Sequence, residues 1–445
     1  MTDWRGETAA AQGRAIAEGR LDPRDLTESY LEAIAADPEH PLIYARLTPD
    51  RARDEAAAAA ARVGEGRPAG PLDGVPVSWK DNIDTAHVAT EAGTRLLAGR
   101  APGRDAEVLT HATAAGLVCL GKTHLSELAF SGLGVNPMTA TPPNALAPER
   151  APGGSSSGAA VSTVRRLASA GIGSDTGGSV RIPAAWNGLV GLKTTAGLLS
   201  GEGVVPLAAS LDTVGPLART VEDAGLLLAA LSGAPFAPLP EPARPAGLQV
   251  AETVVLEGCD PEPLAAFEAA IERLAQAGIA PLRGPCPEFA ETFEVAGRLS
   301  PIVTAEAWTT WAETIEAAPG VMYPPIEARF RSGKAVDPAK DAEARAEFAR
   351  IGRALAARIA SAGPIAMPSV ACLPPEVARL EADEAYYTER NLLALRNTRI
   401  ANLLGLSAIT LPLPETHCGL MLFEGPHQER RLVAWARALE PLLAA

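Results

Sequence analysis

The chain predicts an α/β fold, a sheet covered by helices, and three observations carry that reading. Strand-like and helix-like stretches alternate through the first half. Hydrophobic residues make up 47% of the 445 residues and charged residues 21%, ordinary proportions for a globular protein with a core. Stretches rich in glycine, proline and serine, such as 136–157, read as the loops between these elements.

Taken in order, residues 8–63 are alanine-rich, with Ile16, Leu26, Tyr30, Leu31 and Ile34 among the apolar positions at helical spacing. Glycines and a proline over 64–70 end that helical region. Val75-Pro76-Val77-Ser78-Trp79-Lys80 alternates as a strand does. Proline cannot donate to a ladder, so Pro76 predicts an edge position or a bulge. A helix is expected over 105–116, then a short buried strand, Leu117-Val118-Cys119-Leu120. Residues 136–157 read as loop, 159–167 as helix, 169–174 as strand, and the chain turns helical again from Val180. Residues 235–300 carry proline and no diagnostic pattern. Helices resume at 340–361 and 384–404, followed by a strand at 407–411 and a last helix near 428–443.

Charge narrows the function classes. With 39 basic and 53 acidic residues the formal net charge is −14, and no dense Lys/Arg run offers a surface for nucleic acid or anionic membrane. The longest apolar runs, such as 226–231, are far too short to span a bilayer. The first residues, Met1-Thr2-Asp3-Trp4-Arg5-Gly6, lack the apolar stretch of a signal peptide. Five scattered cysteines without CxxC spacing fit a reducing compartment and give no metal site. A cytoplasmic protein without a cofactor is expected.

Two short patterns fail in context. Gly116-Leu117-Val118-Cys119-Leu120-Gly121-Lys122-Thr123 has phosphate-loop spacing, which works only when a flexible loop offers N–H groups to phosphate. Its middle residues are apolar and read as the strand itself. Gly154-Ser155-Ser156-Ser157-Gly158 has the spacing of a nucleophile elbow, which needs a strand directly before it and a downstream histidine. Residues 148–153 are proline-broken loop, and only His417 and His427 follow.

Two clusters carry more weight: Gly153-Gly154-Ser155-Ser156-Ser157-Gly158 and Gly173-Ser174-Asp175-Thr176-Gly177-Gly178-Ser179. A helix of about ten residues after Ser155 rises about 15 Å, and a strand of about five residues runs back about 16 Å. The lengths nearly cancel, so Ser155 and Ser179 return to one end of the sheet. Lys80 also ends a strand, where α/β sheets gather ligand-contacting loops. Geometry leaves two readings open here: a site joining these three side chains, or ordinary turns rich in glycine and serine.

A longer set of motifs separates them. Asp73-Gly74-Val75-Pro76 precedes Lys80-Asp81, and Gly121-Lys122-Thr123 precedes Glu127. Pro152-Gly153-Gly154-Ser155-Ser156 follows, then Gly173 through Ser179 running on into Val180-Arg181-Ile182-Pro183-Ala184-Ala185. Gly188-Leu189-Val190-Gly191-Leu192-Lys193 and Ser210-Leu211-Asp212-Thr213-Val214-Gly215-Pro216 complete the series. In this order the segments closely resemble the amidase signature family over more than a third of the chain, with weaker likeness at Asn402, Gly405 and Leu411-Pro412.

The resemblance implies one α/β domain over 1–445, with a large mixed, mostly parallel sheet between helical layers. Its parts are N-terminal helices (1–70), a signature core (71–230), a variable region shaping a substrate funnel (231–400) and a C-terminal return (401–445). The resemblance also implies amide-bond hydrolysis by a Ser–cis-Ser–Lys triad of Ser179, Ser155 and Lys80, with a cis peptide bond entering Ser155. In such a triad Ser179 attacks the carbonyl to form an acyl-enzyme, and Ser155 relays its proton toward Lys80. Lys80 must then be neutral. Burial penalises the ammonium, so a Lys80 desolvated beneath two serines is expected to hold a free amine within about pH 7–9. The N–H groups of Thr176, Gly177, Gly178 and Ser179 are expected to form the oxyanion hole, where losing one donor costs about 10²–10³-fold in rate. Ser156 adjoins the relay. Asp175 and Arg181 are expected to pair and hold the nucleophile's turn; Asp81 either supports Lys80 or caps a turn. His124 is read as structural, His417 and His427 as surface residues.

Departures from the family pattern are mild at Ser157 and Ala159. They are larger at Glu415-Thr416-His417-Cys418-Gly419, where a turn is shortened and its substrate contacts fall in doubt. Residues 235–400 match too weakly to name a substrate. A small carboxamide is expected, with a homodimer as the default assembly. The alternatives are the glutaminase component of a tRNA-dependent amidotransferase, which would need a second, partner chain, and an allophanate- or carbamoyl-type hydrolase. Less expected are a non-catalytic binding protein and an ATPase using Lys122.

Overall fold

The computed structural model describes residues 2–414 and 416–444. Among these residues the sheet has eleven strands: β1 (Tyr44–Leu47), β2 (Pro76–Lys80), β3 (Val118–Thr123), β4 (Ala170–Asp175), β5 (Val190–Lys193), β6 (Thr213–Ala218), β7 (Leu248–Ala251), β8 (Pro281–Gly284), β9 (Ile365–Pro368), β10 (Ser407–Leu413) and β11 (Cys418–Glu424). Their spatial order is β1-β3-β2-β4-β6-β5-β10-β11-β9-β7-β8. The fold class is the predicted one, α/β with helices flanking a large mixed sheet.

The balance within that sheet departs from the expected parallel majority. Four pairings are parallel and six antiparallel. The connections give the reason. Parallel neighbours need a long crossover, usually a helix, and the helices Glu107–Ala114 and Ser157–Val164 lie on the paths joining β2, β3 and β4. By contrast, β10 turns straight into β11, and the path from β5 to β6 contains no helix. Both of these pairs run antiparallel.

The alanine-rich N-terminal region folds as helices Ala9–Ala17, Pro23–Ala36 and Pro49–Gly64. The side chains of Thr8 and Asp22 cap the first two by accepting from Ala11 N and Arg24 N. Ile16, Leu26, Tyr30 and Ile34 sit in the main core. Pro76 opens an interior strand, not an edge, and the ladder to β3 shifts register between Val77 and Ser78; the bulge is the device that tolerates it. Lys122 and Thr123 lie inside β3 and are fully buried, so the phosphate-loop spacing has no loop there. The patternless stretch 235–300 holds β7, β8 and the helices Pro261–Gln276 and Pro287–Arg298. No helix among the described residues is long and apolar enough to cross a membrane. Of the shortened turn, Glu415 lies outside the described residues; β11 begins at Cys418.

β2, β3 and β4 run parallel and finish at one edge of the sheet. That edge brings the C-terminal ends carrying Lys80 and Asp175 beside each other, and the site is built there.

Candidate active site

Lys80 is the last residue of β2 and is wholly buried. Its Nζ lies 2.7 Å from Ser155 Oγ, 2.8 Å from Ser174 Oγ and 3.4 Å from the Ser174 carbonyl. Burial brings its pKa down from the ordinary lysine value to about 7, against the opposing charges of Asp175 and Asp212.

Ser155 is placed by the loop ahead of the helix Ser157–Val164, and the Gly154–Ser155 peptide is cis. The chain passes so tightly here that a Cβ on Gly154 would fall 2.5 Å from Gly134 N and 2.7 Å from Ser126 Oγ. Ser156 N–H donates to the Ser179 carbonyl at 3.2 Å, which ties the two serine clusters together. Ser156 Oγ also donates to the Ser174 carbonyl at 3.2 Å. Ser179 is 4% exposed, faces the cavity described below, and its hydroxyl makes no hydrogen bond among the described residues. The structure thus joins Lys80 to Ser155 directly and sets Ser179 beside them. No hydrogen bond joins the Ser179 and Ser155 hydroxyls among the described residues.

The turn carrying Ser179 is held by a buried ion pair. Asp175 receives Arg181 through Nε at 3.0 Å and Nη2 at 2.9 Å, and both residues are fully buried. Burial alone would raise the Asp175 carboxyl; Arg181, then the Lys193 charge and the Asn402 hydrogen bond, outweigh it and hold the carboxyl well below the usual range. Arg181 reaches on to the Thr398 carbonyl at 2.7 Å and Asn402 Oδ1 at 2.6 Å. This network removes one expected oxyanion donor: Gly178 N–H already points to Asp175 Oδ1 at 2.8 Å. The N–H groups of Thr176, Gly177 and Ser179 make no hydrogen bond among the described residues, and all three residues line the cavity. Asp175→Ala would leave Arg181 buried without a counter-charge, so a loss of about 3–5 kcal/mol in urea unfolding is expected. A loss under about 1 kcal/mol would mean that the pair does not hold the turn.

Asp81 does not support Lys80. Its carboxylate lies 3.2 Å from Lys122 Nζ and 3.4 Å from Arg46 and accepts from Glu91 N; it stands in the turn after β2, which ends at Lys80. His124 is kept neutral by burial, which lowers it to about 4, and no histidine lines the cavity among the described residues. His417 binds the Trp186 carbonyl through Nδ1 at 3.0 Å and is half-buried. The sequence reading missed Ser174 and Asn82. Asn82 Nδ2 donates to Ser174 Oγ at 3.0 Å, so that hydroxyl accepts from Asn82 and faces Lys80 at once. The signal was available: Ser174 lies inside the quoted cluster, and the parallel register Trp79↔Ile172 carries it to the level of Lys80.

Thr176, Gly177 and Ser179 open onto a cavity of about 570 Å³, walled largely by apolar side chains such as Phe130, Leu207, Phe293, Ile302 and Leu395. Small-molecule sites have this size and character. Ser179 and the unpaired N–H groups thus open onto the cavity, and the buried Lys80–Ser155 pair lies behind them, outside its lining.

Comparison with known proteins gives the family. The Amidase family profile matches residues 25–432. The 2-amino-5-chloromuconic acid deaminase of Comamonas testosteroni is 36% identical over 438 residues, which is 95% of this chain and 94% of that one. The A component of the glutamyl-tRNA(Gln) amidotransferase of Salinispora arenicola is 36% identical over 307 residues, 65% of this chain and 62% of that protein. Among solved structures, an amidase superposes with a TM-score of 0.87 at 28% identity, covering 98% of this chain and all of the other. The chain belongs to the amidase family, and is an enzyme that hydrolyses amide C–N bonds.

Proposed function

We propose that the enzyme hydrolyses a small carboxamide through Ser179, Ser155 and Lys80, by way of an acyl-enzyme. The observation that carries this reading is Lys80 Nζ, fully buried, 2.7 Å from Ser155 Oγ with its pKa brought down to about 7. A neutral amine has two N–H bonds and one lone pair. The Ser174 hydroxyl and carbonyl oxygens receive the N–H bonds, and Asn82 donates to the same hydroxyl, so the lone pair is left for Ser155 Oγ–H. As Ser179 Oγ attacks the carbonyl carbon, its proton passes to Ser155, and the Ser155 proton passes to Lys80. The oxyanion meets the N–H groups of Thr176, Gly177 and Ser179. The proton returns to the departing nitrogen; water then enters by the same relay and releases the acid. The Comamonas relative is named for shedding an amino group, and ammonia is taken as the leaving group here.

The test is a panel of short aliphatic, aryl, glutamine, indoleacetamide and allophanate amides, with intact-mass analysis of quenched reactions. Ammonia release with an acyl adduct on Ser179 is expected. Turnover without any adduct, and no labelling of Ser179 by an acyl-fluorophosphonate, would refute the covalent route. The amidotransferase alternative rests on the match to 62% of that relative's length. It requires glutamine hydrolysis that depends on a second chain; hydrolysis by the isolated protein excludes it.

A further inference from the structure

The cavity in front of Ser179 holds two arginines that no carboxylate answers. Arg329 and Arg399 both line it, and among the described residues neither takes part in an ion pair. The chain has a surplus of acidic residues, and several other partly buried arginines use them: Arg51, Arg62, Arg100, Arg345 and Arg358 each face a carboxylate, while Arg219, Arg396 and Arg437 are answered by backbone carbonyls. Among the described residues the one acidic residue on the cavity wall is Glu384, and it is exposed.

Arg399 is the sharper case. Its Nε is buried with no hydrogen-bond partner, and its guanidinium stands over the Phe293 ring at 5.1 Å. A buried donor without an acceptor is costly and calls for an explanation. Arg329 donates once, to the Phe130 carbonyl at 3.0 Å, and stacks on the Phe130 ring at 4.2 Å, which leaves most of its fork free. Burial lowers Arg329 to about 10, and Arg399 pushes in the same direction, so the two cations feel each other. Two like charges in an apolar recess are favourable only when an anion sits with them.

Arg399 is also fixed beside the reacting centre. The preceding residue, Thr398, donates to the Gly177 carbonyl at 2.7 Å and is held from behind by Arg181. Arg399 Cβ lies 3.9 Å from the point a Gly177 Cβ would occupy. The guanidinium therefore springs from the backbone that braces the turn of Ser179.

We infer that the substrate is an amide whose acyl part carries a carboxylate, docked on Arg399 with Arg329 adding charge, while its hydrocarbon portion lies along Phe130, Leu207 and Phe293. The placement on the acyl part rests on the ammonia-releasing hydrolase reading above, since ammonia has no room for a carboxylate. The guanidinium fork matches a carboxylate in two parallel hydrogen bonds, which an ammonium cannot do.

The test compares monoamides of linear dicarboxylic acids with neutral amides of the same chain length ending in methyl. The best anionic substrate is expected to exceed its neutral partner in kcat/KM by about 10–100-fold, the range of a charge-assisted contact. Arg399→Gln should bring that ratio close to one, and Arg399→Lys should restore only part of it. Calorimetry on Ser179→Ala, which needs no turnover, should show the monoamide binding at least about tenfold more tightly than the neutral amide. A wild-type ratio of one or below, or a ratio untouched by Arg399→Gln, overturns the inference. Absence of all amide hydrolysis would strike the hydrolase reading instead, and the binding comparison would still decide this one.

Discussion

Ser179→Ala is expected to lower kcat for amide hydrolysis by about 10⁴–10⁶-fold, the loss that follows removal of a nucleophile acting in a concerted unit. The substitution removes one oxygen that has no hydrogen-bond partner among the described residues and sits at a cavity wall. The backbone contact that ties Ser179 to Ser156 uses the carbonyl and survives. Circular dichroism and the unfolding midpoint should therefore stay near wild type while ammonia release disappears. A loss of less than about tenfold would remove Ser179 from the chemistry.

Lys80→Met is expected to cost nearly as much, because Ser155 then has no base to receive its proton. The two losses should not add. The double variant, Lys80→Met with Ser179→Ala, is expected to fall within about tenfold of either single variant, since members of one catalytic unit fail together. Additive losses would place Lys80 outside the relay. The pH dependence follows from the same amine. With Lys80 as the proposed base, the amine is expected to be neutral above about pH 7; below it the ammonium forms, and kcat/KM should fall about tenfold per pH unit. His124, lowered to about 4 by burial, cannot produce that inflection.

Much of this site could be read from the chain because its chemistry is local in sequence. Lys80 ends an alternating strand, and Ser155 and Ser179 stand in glycine-rich turns flanking a helix; strand and helix lengths allow them to meet at one end of the sheet, and the resemblance of the surrounding motifs to the amidase signature family selected them over ordinary turns. What escaped the sequence depends on contacts between distant segments. Gly178 lost its place in the oxyanion hole because Asp175 takes its N–H. Asp81 reads as a neighbour of Lys80, yet it lies in the turn after β2, where its charge meets Lys122 and Arg46. Strand direction was misjudged because it follows from whether a helix intervenes, as the β10–β11 turn and the helix-free β5–β6 path show. The short strands β7, β8 and β9 have four residues each, too few to display a period. Arg399 gave no signal at all. It matters because Thr398 meets Gly177 more than two hundred positions away.

The claim on which the mechanism depends is that Lys80 holds an uncharged amine near neutrality. The chain has five lysines, so a ¹³Cε NMR titration can follow each one. Lys193, also buried and brought down to about 7, is separated from Lys80 by the resonance that vanishes in Lys80→Met. The Lys80 signal is predicted to titrate with a midpoint near pH 7. A midpoint near the ordinary lysine value of about 10.4 would contradict the account.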